Sequence, residues 1–197
     1  MEINGSRVFK ALQEFDRRLS LAETEPIDLY VVGGFALLLQ GVRKNVNDYT
    51  DIDYIGGNFN KEVKRIMDDV GNEFGFEKDW INNDVILDGS SIEDLEYIVG
   101  KLEFERNVKF SVVVLHIPSL KTLLRMKVVA VDTELMSYLE GGRFIRMRDL
   151  LDINLLLEDL SYSLEDLKKE TKNLEIDSFT YDFIEYFLKT GDIMNVE

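Results

Sequence analysis

The chain has 197 residues, with 23 lysines and arginines against 38 aspartates and glutamates, a formal net charge of −15 and a pI near 4.5. Hydrophobic residues make up 45% of it and aromatic residues 11%, which is enough to bury a core, so the acidity is not that of a disordered tail. The lack of cysteine excludes disulfides, Cys-based zinc sites and thiol nucleophiles. No stretch approaches the roughly 18 apolar residues of a membrane span and the N-terminus lacks a signal-peptide core, so we expect a cytoplasmic protein that does not bind membranes.

The first 117 residues mix helical and extended patterns. Helical spacing of apolar residues predicts amphipathic helices, and apolar or β-branched runs bounded by glycine or proline predict strands. In chain order we expect a helix over 7–20, a strand over 27–32, a short helix over 35–41, a strand over 50–57, a helix over 60–75, an extended segment over 76–87, a helix over 91–99 and paired strands over 101–106 and 108–117. The interval between the first two strands suits a helical crossover.

Only helical patterns follow Pro118, over 120–139, 146–160, 163–173 and 178–190. The sequence therefore predicts an α+β protein: a mixed α/β head at 1–117 with a small twisted mixed sheet, followed by a helical portion at 118–197 that packs on the head.

Asp51 and Asp53 alternate along the second predicted strand, so both carboxylates are expected on the same face. Two carboxylates that close repel each other unless a cation lies between them. Mg²⁺ accepts such hard oxygen ligands and usually takes one or two protein carboxylates together with the phosphates of a substrate. The pair therefore predicts a magnesium site.

Gly33 and Gly34 form the turn between the first strand and the short helix. A turn without side chains lets backbone N–H groups approach an anion, and the positive end of the helix points to the same place. Together with the paired aspartates, this turn predicts a site for a nucleoside triphosphate and its metal ion.

The order of these elements resembles the nucleotidyltransferase superfamily, in which a Gly-Gly or Gly-Ser turn and a short helix precede an Arg and a Thr/Ser-x-Asp-x-Asp strand. Here they are Gly33-Gly34, Arg43 and Thr50-Asp51-Ile52-Asp53, although Thr50 directly adjoins Asp51. Three later runs, WINNDVIL, HIPSLKTLLRMKVVA and RMRDLLDINLLL, are similar to the small bacterial nucleotidyltransferases of the DUF6036 and AbiEii toxin group. The resemblance covers roughly residues 28–160.

The resemblance implies Mg²⁺- or Mn²⁺-dependent transfer of a nucleoside monophosphate from a nucleoside triphosphate to an acceptor hydroxyl. It implies metal ligands at Asp51 and Asp53, and nucleotide-binding roles at Gly33, Gly34, Arg43, Thr50, Lys127, Arg148, Asp149 and Asp152. Relatives modify tRNA ends, partner proteins or small molecules, or serve as the toxin of a toxin–antitoxin pair, so an antitoxin is an expected partner.

The resemblance also implies a third acidic residue from a neighbouring strand. The strongest later strand, VKFSVVVLHI, contains none, so Asp84 is the first candidate, and Glu103 and Glu105 come next. If none of them reaches the metal, the chain would be a catalytically lapsed nucleotide-binding or protein-interaction module.

Several side chains have a structural interpretation beside the functional one. Lys127 lies in an apolar helix, where a single lysine is usually an exposed residue with a buried stem, or it binds phosphate. Asp149 and Asp152 share one helix face and would form either a bridge to another element or part of the site. His116, the only histidine, is interpreted as structural.

The negative charge is unevenly distributed. Residues 119–148 hold six basic and three acidic side chains, a local net charge of +3 within the acidic chain. This segment has room for a phosphate-binding patch, whereas a long nucleic-acid duplex would require a broad basic surface.

Overall fold

The computed structural model of the chain describes residues 6–44, 51–56, 59–83, 92–142 and 146–193. Its elements are α1 (Arg7–Leu21), β1 (Ile27–Val31), α2 (Gly33–Gln40), β2 (Ile52–Ile55), α3 (Lys61–Phe74), β3 (Ile81–Asn82), α4 (Ile92–Val99), β4 (Phe104–Lys109), β5 (Val113–Pro118), α5 (Leu120–Leu139), α6 (Met147–Leu160), α7 (Leu164–Glu170) and α8 (Ser178–Thr190). Among these residues no helix combines the length and apolarity needed to cross a membrane.

The predicted α+β class is confirmed, because these helices accompany a five-stranded mixed sheet in the order β3-β2-β1-β5-β4. The central strand β1 runs parallel to β5 and antiparallel to β2, while β3 is parallel to β2 and β4 antiparallel to β5. The expected helix between the first two strands is present as α2. The expected crossover between them is wrong, because β2 returns antiparallel to β1.

Strand register places the polar side chains of β2 and β3 on one face of the sheet. Leu29 and Val31 are fully buried, and Val31 pairs with Tyr54, so Tyr54 shares their face. Side chains alternate along a strand, so Asp53 projects from the opposite face. Asp53 pairs in parallel register with Asn82, which brings these two side chains next to each other.

The hairpin between β4 and β5 turns later than the sequence suggests. The expected break at Arg106 and Asn107 is wrong, because β4 continues to Lys109. The turn lies over 110–112, where the buried carboxylate of Asp16 in α1 accepts hydrogen bonds from the backbone N–H groups of 111, 112 and 113 at 3.1, 2.7 and 2.9 Å. This long-range acceptor satisfies three backbone donors, and a local turn pattern cannot reveal it.

The chain forms two compact units. The first comprises Met1–Asp94 and Glu103–Ser119, and the second comprises Leu95–Leu102 and Leu120–Glu197. Arg125 of α5 explains why the end of α4 belongs to the second unit. Its buried guanidinium donates to the carbonyl oxygen of Val99 at 2.9 Å and to Glu170 of α7 at 2.6 Å.

Candidate active site

Gly33 and Asp53 are in close contact at the start of α2. Gly33 adopts a φ of +63°, and a Cβ placed on it would overlap the carboxylate oxygen Oδ2 of Asp53 and lie 3.3 Å from its Cγ. The backbone N–H of Val32 donates to the carbonyl oxygen of Asp53 at 2.9 Å, which holds the two segments together. Glycine is therefore required here both by the backbone conformation and by the neighbouring carboxylate.

The N-terminus of α2 is electrostatically complementary to an anion. The first N–H groups of a helix have no partner within it, and the peptide dipoles give this end a partial positive charge. The residue before α2 is Val32, whose apolar side chain cannot cap the helix. The carboxylate of Asp53 already lies at this end of the helix. A phosphate that binds there would be next to Asp53, so a cation is needed between the two anions.

An acidic cavity of about 410 Å³ opens beside Asp53 in the same unit. It is lined by Asp51, Asp53, Glu77, Lys78, Asp79, Trp80 and Asn82. Four carboxylates and one amine give this wall a net negative charge, which favours a divalent cation over a bare phosphate. The structure thus brings both predicted metal ligands, Asp51 and Asp53, into one cavity.

The donor atoms of this cavity fit magnesium. Carboxylate oxygens of Asp51 and Asp53 and the amide oxygen of Asn82 are hard ligands of the kind that Mg²⁺ prefers, and Mg²⁺ needs only one or two of them because substrate oxygens and water complete its shell. Among the described residues, no group of three or more His, Asp or Glu side chains forms a ready-made metal cage.

Of the three candidates for the third carboxylate, Asp84 stays a prediction and the two glutamates lie too far from the paired aspartates. Glu103 and Glu105 are wrong as candidates, because β4 lies three strand spacings from β2, about 14 Å, beyond the reach of a glutamate. Asp84, like Thr50, lies outside the described residues. Glu77 and Asp79 also line the cavity.

Sequence reasoning missed Glu77, Asp79 and Asn82. These residues lie in the segment around Trp80, for which the sequence predicts extended chain. The pattern does not indicate which strand this segment pairs with. Only the parallel pairing of Ile52 with Ile81, and hence of Asp53 with Asn82, brings this segment to the paired aspartates.

Arg43 lies at the other end of α2 from Gly33. The helix has eight residues, so its ends are about 12 Å apart. The N–H of Arg43 donates to the carbonyl oxygen of Leu37 at 3.3 Å, in the turn that follows Gly41. The backbone of Arg43 therefore lies about one helix length from the Gly-Gly turn, and its nucleotide-binding role stays a prediction.

Lys127, Asp149 and Asp152 form a buried ion cluster in the second unit. The ammonium of Lys127 on α5 contacts the carboxylate of Asp149 and lies 2.8 Å from Oδ2 of Asp152, both on α6. The side chain of Lys127 is only 13% exposed and that of Asp152 only 1%. The exposed-lysine interpretation is therefore wrong, and the two aspartates do bridge their helix to another.

Arg146 extends this cluster towards the surface. It lies immediately before α6, with its guanidinium 3.5 Å from Asp149 and in contact with Glu134 of α5. Asp149 also occupies the first turn of α6, where the helix dipole favours a negative charge. Arg148 is exposed beside it. The cluster thus holds two helices together, with Arg146 closing it on the surface side.

His116 is paired and stacked within the first unit. Its Nε2 lies 2.6 Å from the Asp28 carboxylate, and its ring stacks on Tyr30 with the centroids 4.5 Å apart. Both contacts fix the ring, as expected for the structural role assigned to it from the sequence.

We expect Gly33→Ala to disturb Asp53 as well as the backbone. The left-handed conformation alone costs an alanine about 1–2 kcal/mol, and the overlap with the Asp53 carboxylate adds to this. Thermal and urea unfolding of Gly33→Ala should therefore show a larger loss of stability than that of Gly191→Ala. Gly191 has a similar φ of +75°, and a Cβ added to it would meet no atom within 4 Å among the described residues, so it isolates the backbone cost. Equal losses in the two variants would contradict the close approach.

No protein-family model, curated protein or solved structure matches this chain. The nucleotidyltransferase relationship stays a prediction from the motif residues.

Proposed function

We propose that the protein is a nucleotidyltransferase that moves a nucleoside monophosphate from a nucleoside triphosphate to an acceptor hydroxyl, with Mg²⁺ or Mn²⁺ as cofactor. The observation that carries this proposal is the contact between Gly33 at the start of α2 and the carboxylate of Asp53. It combines an anion-binding helix end with a metal-binding carboxylate at one point. The mixed sheet that presents them supports a nucleotidyltransferase-like head.

Within this proposal, the backbone N–H groups at the start of α2 bind the triphosphate, and Asp51 and Asp53 hold the cation against it. A cation held there would neutralise charge at the phosphates and at the attacking and leaving oxygens. Asn82 lies beside Asp53 on the adjacent strand, and its amide oxygen is a further ligand for the cation. Phosphoryl transfer depends mainly on such positioning and on electrostatic stabilisation, so a small set of residues suffices.

The acceptor oxygen attacks the α-phosphorus, a new P–O bond forms, and the bond to the bridging oxygen breaks to release pyrophosphate. The acceptor hydroxyl loses its proton in this step. Asp79 and Glu77 line the cavity and are the carboxylates available to receive it. Asp79 also lies 3.1 Å from the ammonium of Lys64.

The charge of the chain limits the acceptor. A net charge of −15 and an acidic cavity disfavour a long nucleic-acid duplex, which binds by neutralising many phosphates. The end of an RNA such as tRNA, a protein side chain or a small molecule fits these constraints. Action as the toxin of a toxin–antitoxin pair, on such an acceptor in the cytoplasm, belongs to the same proposal.

Calorimetric titration with ATP, GTP, CTP and UTP tests the proposal. We expect at least one triphosphate to bind in the presence of Mg²⁺ or Mn²⁺ and to bind much more weakly with EDTA, because the carboxylates repel a bare triphosphate. Incubation with labelled triphosphates and bulk tRNA or lysate then tests transfer. The absence of binding for every triphosphate would overturn the proposal, whereas binding without transfer would identify the lapsed nucleotide-binding module.

A further inference from the structure

A second cavity adjoins the acidic one in the first unit. This side cavity has a volume of about 250 Å³, and its lining includes Tyr54, Phe59, Lys64 and Asn83. It shares two lining residues, Asp79 and Asn82, with the acidic cavity. A ligand bound at Asp51 and Asp53 can therefore extend past this common wall. The volume is below the roughly 300–1,000 Å³ of sites that enclose whole ligands, so it suits one part of a larger molecule.

Aromatic rings form one side of the side cavity. Phe59 stacks on Tyr54, with ring centroids 5.2 Å apart and an angle of 17° between the ring planes, and Phe15 supports Phe59 at 6.4 Å. Tyr54 is 3% exposed whereas Phe59 is half-buried, so Phe59 is the ring that an entering molecule meets. A supported, partly exposed ring suits stacking with a planar ligand.

Polar groups form the other side. Side chains alternate along the chain, so Asn82 faces Asp53 and Asn83 faces the side cavity with Tyr54. The Asn83 amide has both hydrogen-bond donors and an acceptor, the combination that can contact the edge of a heterocycle. Lys64 and Asp79 form an exposed ion pair at 3.1 Å, with side chains 52% and 42% exposed, so they can rearrange as a ligand enters. The side cavity thus offers a stacking surface and hydrogen-bonding groups to one planar ring.

We infer that the side cavity binds the nucleobase of the triphosphate whose phosphates occupy the acidic cavity. This inference rests on the proposed function, and it names the part of the substrate that determines base preference. The base stacks on Phe59, and the amide of Asn83 contacts its edge, while the amide of Asn82 stays with Asp53 on the other face of the sheet. Stacking tolerates every base, so discrimination among the four nucleotides comes from the Asn83 amide.

We test this assignment with two variants, Phe59→Leu and Asn83→Ala. Calorimetry with Mg²⁺ measures their affinities for nucleoside triphosphates and for inorganic tripolyphosphate. Loss of stacking should weaken the preferred nucleotide about tenfold in Phe59→Leu. Tripolyphosphate has no base, so its affinity should be unchanged in both variants. Asn83→Ala should change the order of affinities among the four triphosphates. Tyr97→Leu is the matched control, because Tyr97 is an aromatic side chain 90% exposed on α4 and outside the side cavity.

The possible results separate the inference from the proposed function. If wild-type protein binds triphosphates but both variants bind them with wild-type affinity and preference, the base lies elsewhere and only the inference is overturned. If wild-type protein binds neither triphosphate nor tripolyphosphate, both are overturned. If Phe59→Leu weakens tripolyphosphate and nucleotide equally, the substitution has damaged the fold. If Asn83→Ala also leaves the order of affinities among the four triphosphates unchanged, the inference is overturned.

Discussion

Asp53→Asn is expected to remove magnesium-dependent nucleotide binding while leaving the protein folded. The substitution keeps the size of the side chain beside Gly33 but removes the charge that we propose holds the cation. Loss of one charge-assisted contact should weaken Mg-nucleotide about tenfold to a hundredfold. Transfer should fall further, on the order of a hundredfold to a thousandfold, because the missing charge acts most strongly on the transition state. Calorimetry and the labelling assay measure the two effects separately.

The stability of Asp53→Asn should change little. Removing the charge relieves repulsion within the acidic cavity but also loses a favourable interaction with the start of α2, and each effect is about 0.3–1 kcal/mol. Asp159→Asn is the matched control, since it makes the same chemical change at an exposed position of α6 and should leave binding unaltered. Wild-type labelling in a double Asp51→Ala and Asp53→Ala variant would show that the transfer site lies elsewhere.

The contact between Gly33 and Asp53 shows how far sequence reasoning reached. Glycine pairs and alternating aspartates are local patterns, so both halves of the candidate site were predictable from residue type and spacing. Their proximity depends on the pairing of β1 with β2, which turned out to be antiparallel. The contribution of Asp79 and Asn82 depends further on β3, a strand of two residues whose pattern is too short to predict its partner.

The helices were predictable for a different reason. A helix forms from contacts three or four residues apart, so apolar spacing marks it even without knowledge of its neighbours. The turn at 110–112 depends instead on Asp16, whose carboxylate lies about a hundred positions earlier in the chain and accepts three hydrogen bonds from the N–H groups of 111, 112 and 113. Local composition around Arg106 and Asn107 was therefore misleading.

Lys127→Met is expected to destabilise the helical unit strongly. Methionine keeps most of the apolar stem, but Asp149 and Asp152 lose the ammonium between them, and Asp152 is almost completely buried. Asp149 keeps the guanidinium of Arg146 at 3.5 Å, so the loss falls mainly on Asp152, and removing one partner of a buried ion pair typically costs about 3–5 kcal/mol. Urea unfolding should show this loss of stability. The loss should be smaller in the double variant Lys127→Met and Asp152→Asn, because the neutral asparagine no longer places a carboxylate opposite the missing ammonium.

Lys121→Met provides the control on the same helix. Lys121 is 48% exposed and 4.0 Å from Glu170, so its removal should change stability by less than about 1 kcal/mol. The outcome also decides between the two roles considered for Lys127. A lysine whose charge serves only to bind phosphate would leave Lys127→Met as stable as the wild type and reduce nucleotide affinity alone. A large loss of stability that Asp152→Asn partly restores would instead identify the ion cluster as a structural link between α5 and α6.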